Sequence, residues 1–429
     1  MSNYIVALDF GSDKIAGMVA RRGADDSLEI IAVASENSVG VRRGLINNYS
    51  AAAASATRII DRLQQDANII IDKVYAGIGG HTMKSLAQKQ RLSSDSEQEF
   101  TREQLDELCK RNFELSPDGN TVYDAMPQEA VIDGDVELNP EGCVGSSLEA
   151  GYLLATGQPS IELRLCHCIE RIPQKLAASF VLPFTTAEIL VSPEEKESGV
   201  AVIDFGAETT TVVVYAEHFM RHMAVIPFGG KSITQDIRSL KVTEANAERL
   251  KKEYGYALQS LDTEPKTINI KTGGQDNPIH SKKDLNLIIQ SRVDEILEMV
   301  CEEIYKSGYM DKLAEGIIIT GGASQLRGIE QFVELKSGMK VRHGNYTQQL
   351  VPETKAEFIN PAYTTLLGLL SFGKENCTMK EKIDEPVAPV VQPKPAPTNK
   401  SSLWGKIKRR GMEIVDDAQQ KMFEDHSFE

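Results

Sequence analysis

The sequence contains few cysteines, a single tryptophan and no long apolar run, and each of these scarcities excludes a class of protein. The six cysteines of the 429-residue chain are scattered, so they form neither a disulfide framework nor a zinc-binding pattern. No stretch approaches the roughly 20 apolar residues that span a bilayer, and the N-terminus lacks the pattern of a signal peptide. The sequence therefore predicts a reduced, cytoplasmic protein without a membrane-spanning helix.

Positive charge is also scarce. The formal net charge is −15, while the charged and apolar fractions, 25% and 41%, are ordinary for a globular protein. We expect no nucleic-acid partner, because a body of this charge repels polyanions, and any contact with anionic lipid must come from a local basic patch. At about 150 residues per domain, the length predicts two or three domains.

The closest pair of cysteines lies in the segment Cys166-His167-Cys168. We predict a strand here, on which the two thiols would point to one face and the histidine to the other. No second pair stands nearby to complete a metal site, so no metal is expected at this segment.

One motif occurs twice. Tyr4–Ala20 reads YIVALDFGSDKIAGMVA and Gly199–Tyr215 reads GVAVIDFGAETTTVVVY. In both, an apolar strand ends in Asp-Phe-Gly and a second β-rich run follows. The repeats are too far apart for a solenoid, so they predict a duplicated domain whose equivalent hairpins face each other.

The rest of the chain predicts an α/β protein with an insertion and a tail. Strands and helices alternate in both halves, which indicates layered α/β lobes. Between residues 83 and 160, one helix near Arg102–Asn112 and several short strands with turn-rich joints predict a small inserted domain. Residues 376–400 carry five prolines between Pro386 and Pro397, so no helix persists there and the segment reads as a linker.

The two hairpins have the composition of a phosphate site. The glycine after each strand lets phosphate oxygens approach backbone N–H groups, and Lys14 with nearby hydroxyls adds donors. Asp9 and Asp204 cannot contact phosphate favourably, but they can hold a hydrated Mg²⁺ ion that bridges phosphate and protein. A third motif, GIIITGGASQLR at Gly316–Arg327, predicts a buried strand and paired glycines that open a helix beside a ribose or flat ring.

The order of these motifs resembles the actin, heat-shock chaperone and sugar-kinase superfamily, and within it the FtsA family of bacterial cell-division proteins. The segments LNPEGCVGSSLEA, VIPFGGKSIT, AERLKKEYGYA and NPAYTTLLGLL add to the resemblance, which covers about Tyr4 to Gly373 and the tail. It implies an α/β fold, the two-lobed ATPase fold of actin, chaperones and sugar kinases, with an inserted small α+β domain. ATP and Mg²⁺ would bind between the lobes.

The resemblance also implies a division of the chain. The first lobe (actin-like domain 1A) would comprise residues 1–82 and 161–198, interrupted by the inserted domain (1C, SHS2-like) at residues 83–160. The second lobe (2A/2B) would comprise residues 199–360. A helix at 361–375 would return to the first lobe, followed by the Pro-rich linker at 376–400 and an amphipathic membrane-targeting helix at 401–424.

The nucleotide site implied by the resemblance draws on both hairpins, on two helices and on the third motif. Its members are Asp9, Gly11, Ser12, Asp13, Lys14, Asp204, Gly206, Ala207, Thr209, Thr210, Gly229, Gly230, Glu248, Lys251, Gly321, Gly322 and Ala323. Asp9 and Asp204 would position Mg²⁺ through water.

Two positions depart from the family pattern. Glu208 replaces a glycine where backbone should approach the phosphates, and a carboxylate pointing inward would repel them. Leu182-Pro183 aligns with a Glu-Pro pair whose carboxylate orients the attacking water in relatives, and leucine cannot polarise water. The sequence therefore predicts ATP binding with weak or absent hydrolysis, and no metabolic enzyme.

The segment Ser401–Glu424 predicts a helix that lies on a membrane. At 100° per residue its apolar side chains fall within an arc of about 120°, with most of the cations outside that arc. The only tryptophan of the chain lies here, and indole prefers the headgroup boundary. The residues expected to contact anionic lipid are Leu403, Trp404, Lys406, Ile407, Lys408, Arg409, Arg410, Ile414 and Val415. A helix that docks on protein instead stays the alternative.

The resemblance implies an ATP-binding adaptor at the cytoplasmic face of the inner membrane, located at the division septum. It would self-associate into filaments, tether the tubulin-like protein FtsZ and help to recruit later division proteins. Three alternatives remain at this stage. They are a small-molecule kinase of the same superfamily, a chaperone, for which a substrate-binding domain is missing, and an actin-like adaptor for a pilus-type membrane assembly.

Overall fold

The computed structural model of the chain describes residues 3–263, 267–268, 271–272, 275–276, 280–346, 350–351 and 354–379. The described residues belong to one compact unit, which ends at Met379. Of the predicted linker at residues 376–400, only 376–379 are described, and there Cys377 is buried and its N–H donates to the carbonyl oxygen of Tyr4 at 2.7 Å. The rest of the predicted linker and the predicted membrane helix at 401–424 lie outside the described residues. None of the described helices is long and apolar enough to cross a bilayer.

The strands are β1 Asn3–Phe10, β2 Lys14–Arg22, β3 Leu28–Asn37, β4 Val41–Arg42, β5 Leu45–Ile46, β6 Lys73–Ile78, β7 Lys84–Glu99, β8 Thr121–Ile132, β9 Asp135–Glu137, β10 Val144–Gly157, β11 Lys175–Val181, β12 Val200–Phe205, β13 Thr210–Ala216, β14 Phe219–Ile226, β15 Thr267–Ile268, β16 Lys271–Thr272, β17 Gln275–Asp276, β18 His280–Ser281, β19 Ile317–Thr320 and β20 Val341–His343. The helices are α1 Tyr49–Ala67, α2 Arg102–Arg111, α3 Ser160–Ile169, α4 Leu182–Glu188, α5 Pro193–Ser198, α6 Gly230–Ile237, α7 Glu244–Tyr254, α8 Lys282–Lys306, α9 Ile329–Ser337 and α10 Thr364–Phe372.

Two sheets repeat the same strand order. The sheet of the first lobe has the strand order β11-β6-β1-β2-β3, and the order of the larger sheet begins β20-β19-β12-β13-β14. In each, a hairpin (β1–β2 or β12–β13) pairs in parallel with an inner strand, β6 or β19. This equivalence confirms the duplication that the repeated Asp-Phe-Gly motif predicts. β1 and β12 are buried along most of their lengths, as strands covered by helices on both faces should be.

The larger sheet continues from the second lobe into the inserted segment. β14 pairs with β7 at Ala224 and Lys84, and β10, β8 and β9 follow. The segment has its own apolar cluster between Phe100 and Leu154. The prediction of short strands is wrong, because β7, β8 and β10 have 16, 12 and 14 residues. The domain boundaries stay predictions.

The last described helix returns to the first lobe. α10 contributes Leu366, Leu367, Leu369 and Leu370 to the same apolar cluster as β1 and β2. Nη2 of Arg22 on β2 donates to the backbone carbonyls of Leu370, Ser371 and Gly373 at 2.8, 2.7 and 2.8 Å. A guanidinium at this end of a helix satisfies carbonyls that have no partner within the helix and opposes the negative end of its dipole.

The structure corrects two local predictions. Cys166 and Cys168 lie in α3 rather than on a strand. Alternation over three residues mimics a strand, but the buried residues of the segment, Ile161, Leu165, Cys168 and Ile169, follow helical spacing. At the paired glycines Gly321-Gly322, where the sequence predicts the start of a helix, only a short 3₁₀ helix begins, at Gly322–Gln325, and the α-helix begins at Ile329.

Arg221 on β14 joins the inserted segment to the second lobe. Its Nη1 donates to Oε2 of Glu129 on β8 at 2.6 Å, and its Nη2 donates to Glu217 at 3.0 Å. The guanidinium lies 5.2 Å from the ring centres of Phe219 and Tyr309. Since the Arg221 side chain is only 8% exposed, water cannot replace these partners without rearrangement.

We expect Arg221→Met to destabilise the protein by about 2–3 kcal/mol, because removing one member of a mostly buried pair leaves Glu129 without its counterion. The measurement is the urea midpoint of unfolding. Arg102→Met is the matched control, since Arg102 pairs with Asp106 and Glu141 at the surface and its side chain is 68% exposed. Equal midpoints for the two variants would contradict the structural role of Arg221.

Candidate functional site

The turns of the two hairpins face a single cleft of about 580 Å³. Residues 11–13 connect β1 to β2, and residues 206–209 connect β12 to β13. A Cβ atom on Gly11 would lie 2.7 Å from the carbonyl oxygen of Lys14, and one on Gly206 would lie 2.7 Å from that of Thr209. Each turn is therefore tight enough to require glycine at its first position, and both expose backbone to the cleft.

Asp9 and Asp204 occupy equivalent positions at the base of these turns. They lie in register with Ala16 and Thr211 on the partner strands. Burial raises the pKa of Asp9 to about 6, although the charge of Lys14 opposes the shift. Burial raises the pKa of Asp204 to about 7, and the nearby charge of Asp9 adds to this shift. Both carboxylates would be stabilised by a cation in the cleft.

Lys14 lies on the first-lobe side of the cleft. Its Nζ is 3.7 Å from the ring centre of Tyr363, just before α10. Burial lowers the pKa of Lys14, and the charges of Asp9 and Asp13 oppose this shift. The ammonium thus has a neutral aromatic partner and faces the cleft, from which it could turn towards an anionic ligand.

The third motif reaches the same cleft from the end of β19. Gly321 has φ = +88°, and a Cβ atom there would lie 2.1 Å from Oδ1 of Asp204 and 2.5 Å from the carbonyl oxygen of Phe205. Glycine is therefore required both by the backbone conformation and by the approach to the second hairpin. Gly322 and Ala323 follow it along the wall of the cleft.

Helices α6 and α7 supply a polar edge. Nζ of Lys251 donates to the Gly230 carbonyl and to Oγ1 of Thr234, both at 2.8 Å, and it lies 2.7 Å from Oε2 of Glu248. Burial raises the pKa of Glu248, but the contacts with Lys251, Thr234 and Lys252 outweigh it, so the net pKa is lowered. This edge holds a fixed carboxylate and ammonium that could bond ligand hydroxyls.

The two departures from the family pattern both line the cleft. Glu208 does not point freely at the ligand space, since its Oε2 accepts the backbone N–H of Arg43 at 2.6 Å and its Oε1 lies 3.4 Å from Nζ of Lys231. Leu182 packs on the backbone of β6. A Cβ on Gly77 would lie 1.8 Å from Leu182 Cδ2, so the glycine makes room for this side chain.

The structure brings most of the predicted nucleotide-site residues together. The cleft is lined by Asp9, Gly11, Ser12, Asp13, Lys14, Asp204, Gly206, Ala207, Thr209, Gly230, Glu248, Lys251, Gly321, Gly322 and Ala323. Thr210 and Gly229 lie behind it. Thr210 is fully buried and donates to the carbonyl of Phe228 at 2.9 Å, and a Cβ on Gly229 would meet the carbonyl oxygen of Gly206 at 2.6 Å.

Sequence reasoning missed several cleft residues. Lys231, Lys252 and Arg327 line the cleft, as do Gly44 and residues 77–80 at the end of β6. Lys231 could have been predicted as a cleft residue from the sequence, because it follows the paired glycines at the start of α6. Gly44 could not have been predicted, because nothing in the sequence distinguishes it from any other glycine in a turn.

The donor set fits a magnesium nucleotide. Lysine side chains line the cleft together with two carboxyl groups whose pKa values are raised, and each hairpin turn begins with a glycine that leaves its backbone open to a ligand. Within the described part of the chain, no three His, Cys, Asp or Glu groups could hold a metal ion directly. Two carboxylates suit Mg²⁺ held through its own waters.

Comparison with known proteins identifies relatives over nearly the whole chain. A family model described as "Cell division protein FtsA" matches residues 201–368. The chain is 30% identical over 397 residues to the cell division protein FtsA of Neisseria meningitidis, which covers 91% of this chain and 94% of the relative. It is 29% identical over 402 residues to that of Pseudomonas aeruginosa, with coverage of 90% and 95%.

Solved structures support the same fold. A chain of the "PilM-PilN type IV pilus biogenesis complex" superposes with a TM-score of 0.61 at 16% identity, covering 85% of this chain and 97% of that one. The ethanolamine utilization protein EutJ of Carboxydothermus hydrogenoformans gives a TM-score of 0.51 at 15% identity, covering 86% and 90%. At these identities the similarity concerns the fold alone.

The raised pKa of Asp204 predicts a pH-dependent stability. The folded state holds this proton up to about pH 7, whereas the unfolded chain releases it near the ordinary value of 3.8, so stability falls as pH rises through this window. An asparagine side chain at this position cannot ionise. We expect Asp204→Asn to be more stable than the parent by about 2 kcal/mol at pH 8, less than the full shift implies because the cleft is open to water.

Urea midpoints between pH 4 and pH 8 measure this effect, and the difference between variant and parent should vanish towards pH 4. Asp135→Asn, at an exposed position of β9, is the control and should follow the parent at every pH. A constant difference across the whole range would show that the Asp204 carboxylate is not the group that titrates.

Proposed function

The chain belongs to the FtsA family of cell-division proteins and has their actin-like two-lobed fold, and on that basis we propose that it is an ATP-dependent membrane adaptor of the division machinery. The observation that carries the nucleotide part is the pair of equivalent carboxylates, Asp9 and Asp204, at the base of two glycine turns in one cleft. A duplicated fold that places the same group on both walls is suited to a ligand held between its lobes.

The residues of the cleft have distinct parts in this proposal. The turns at residues 11–14 and 206–209 would face the phosphates, and Lys14 with Lys231 would balance their charge. Asp9 and Asp204 would bind waters of Mg²⁺. Gly321 would let the nucleoside lie against backbone, and the Glu248 edge would bond the ribose hydroxyls. The bound ion would neutralise charge on the phosphates, while these side chains orient the ligand.

Hydrolysis would be weak or absent. Leu182 begins α4 on the wall of the cleft, and its apolar side chain cannot orient or deprotonate a water molecule. ATP would then serve to hold the lobes in one arrangement, and that arrangement would favour self-association into filaments. A metabolic kinase would need the opposite, a polar group placed to activate its substrate.

The membrane part of the proposal rests on the sequence of the tail. Lys400–Met412 carries five cations and no acid, within a chain of net charge −15, and the only tryptophan is Trp404. Each cation near an anionic leaflet would add about 1 kcal/mol of binding free energy. With the tail on the cytoplasmic face of the inner membrane, the lobes would tether FtsZ at the septum, and the inserted segment would contact neighbouring copies or later division proteins.

Gly321 tests the nucleotide site. We expect Gly321→Ala to weaken Mg-ATP binding at least tenfold, because the new methyl group would displace Asp204. Gly119→Ala is the matched control, since Gly119 also has a positive φ of +74° but has no atom within 4 Å of the added Cβ. Titration calorimetry measures both. Equal affinities, or no ATP binding by the parent protein, would contradict the assigned site.

Sedimentation with anionic liposomes tests the adaptor. We expect the full chain to sediment with the lipid and to assemble further when Mg-ATP is added, whereas a chain ending at Lys400 should stay in the supernatant. A full-length variant with Lys406, Arg409 and Arg410 changed to Glu tests the charge of the tail without changing its length. It should also stay in the supernatant. If the full chain does not bind the liposomes, the tail docks on protein, as an adaptor for a pilus-type assembly would require.

A further inference from the structure

A ring of hydrogen bonds connects the two lobes at the wall of the cleft. Nζ of Lys231 donates to the Ser12 carbonyl at 2.6 Å and lies 3.4 Å from Oε1 of Glu208. Oε2 of Glu208 accepts the N–H of Arg43 at 2.6 Å, and the next N–H, of Gly44, donates to Oγ of Ser12 at 3.1 Å. Ser12, Arg43 and Gly44 belong to the first lobe, while Glu208 and Lys231 belong to the second.

The first-lobe side of this ring is a turn that presents two neighbouring N–H groups. Arg43 and Gly44 form the two-residue loop between β4 and β5, and both have positive φ, at 49° and 74°. Positive φ at both central positions defines a type I′ hairpin turn, and a non-glycine residue there is uncommon. Consecutive N–H groups in a turn make a concave site that favours an anion. Glu208 supplies that anion from the opposite lobe.

Glu208 therefore does what a bound phosphate oxygen would do. Its carboxylate accepts a backbone N–H from one lobe, lies near an ammonium of the other, and is only 21% exposed. It belongs to the second hairpin turn, which the proposed function places beside the phosphates. Two anions cannot share these donors without strong repulsion in a partly buried site.

We propose that Glu208 is a specificity-determining residue, an internal anion that a nucleoside triphosphate must displace from Arg43 and Lys231 and that a diphosphate leaves in place. The inference rests on the proposed nucleotide site. The base and ribose would lie at the Glu248 edge and the first phosphates between the hairpins. The terminal phosphate of a triphosphate is then the group that would reach the hydrogen-bond ring of Ser12, Arg43, Gly44, Glu208 and Lys231. Displacement would transfer Lys231 and the Arg43 N–H from the carboxylate to that phosphate.

The test compares ATP with ADP. We expect Glu208→Ala to bind Mg-ATP about tenfold more tightly than the parent, since a hydrogen-bonded charge no longer has to be displaced, while the affinity for ADP changes less than about twofold. Glu208→Gln should give a smaller shift, because its amide oxygen still accepts the Arg43 N–H but carries no charge. Glu149→Gln is the control, a carboxylate paired with Lys89 and Arg91 far along the inserted segment.

Amide hydrogen exchange of residues 41–46 gives a second readout that does not depend on affinity. Without nucleotide, exchange of this segment should be faster in Glu208→Ala than in the parent, and ATP, but not ADP, should restore protection. Should the alanine variant fail to fold, the glutamine variant carries the same comparison.

The outcomes separate the inference from the function on which it rests. An ATP-to-ADP affinity ratio that is unchanged in both variants, or a loss of affinity for both nucleotides, would overturn the role of Glu208 and leave the nucleotide site intact. Failure of every protein, including the parent, to bind either nucleotide would overturn the site itself and the inference with it.

Discussion

The burial of two carboxyl groups at the base of one cleft is the constraint on which the candidate site of this molecule depends. Asp9 and Asp204 end equivalent buried strands, where burial raises the pKa of both carboxyl groups, and the charge of Asp9 adds to the shift of Asp204. The two equivalent hairpins bring these carboxylates to one cleft. A cation bound between them would lower the cost of charging both, since without one the pKa of Asp9 is raised to about 6 and that of Asp204 to about 7.

This constraint explains why the functional half of the fold could be predicted from sequence. A strand that ends at the shared cleft carries its carboxylate and the glycine of its tight turn within three residues, as in Asp9-Phe10-Gly11. A short stretch of sequence is therefore enough to predict this part of the site. The same holds for Gly321, whose backbone conformation and close approach to Asp204 both demand glycine. Motifs of this kind can be recognised in the sequence because several structural requirements apply to neighbouring residues.

Other features depend on pairing partners that are distant in sequence, and these could not be predicted. β7 is mostly exposed and largely polar, so nothing in its own residues marks a 16-residue strand. It is held by its pairing with β10, whose residues lie about 60 positions further on. The Arg221 to Glu129 contact and the Glu208 ring join segments more than 90 residues apart. The error at Cys166 was of another kind, because three residues cannot distinguish a period of 2 from one of 3.6.

The two departures from the family pattern would act on the same part of the proposed ligand. Leu182 would deprive the last phosphate of an activated water, and Glu208 would hold the donors that this phosphate needs. The first would make a bound triphosphate long-lived, while the second would make its binding depend on opening a bridge between the lobes. On this proposal the cleft would respond to the last phosphate without hydrolysing it. Because β14 pairs with β7 and Arg221 fixes the inserted segment to the second lobe, any shift of one lobe against the other would be carried into that segment. A protein whose surfaces must be presented to neighbours in one arrangement for a long time has more use for such a sensor than for rapid turnover.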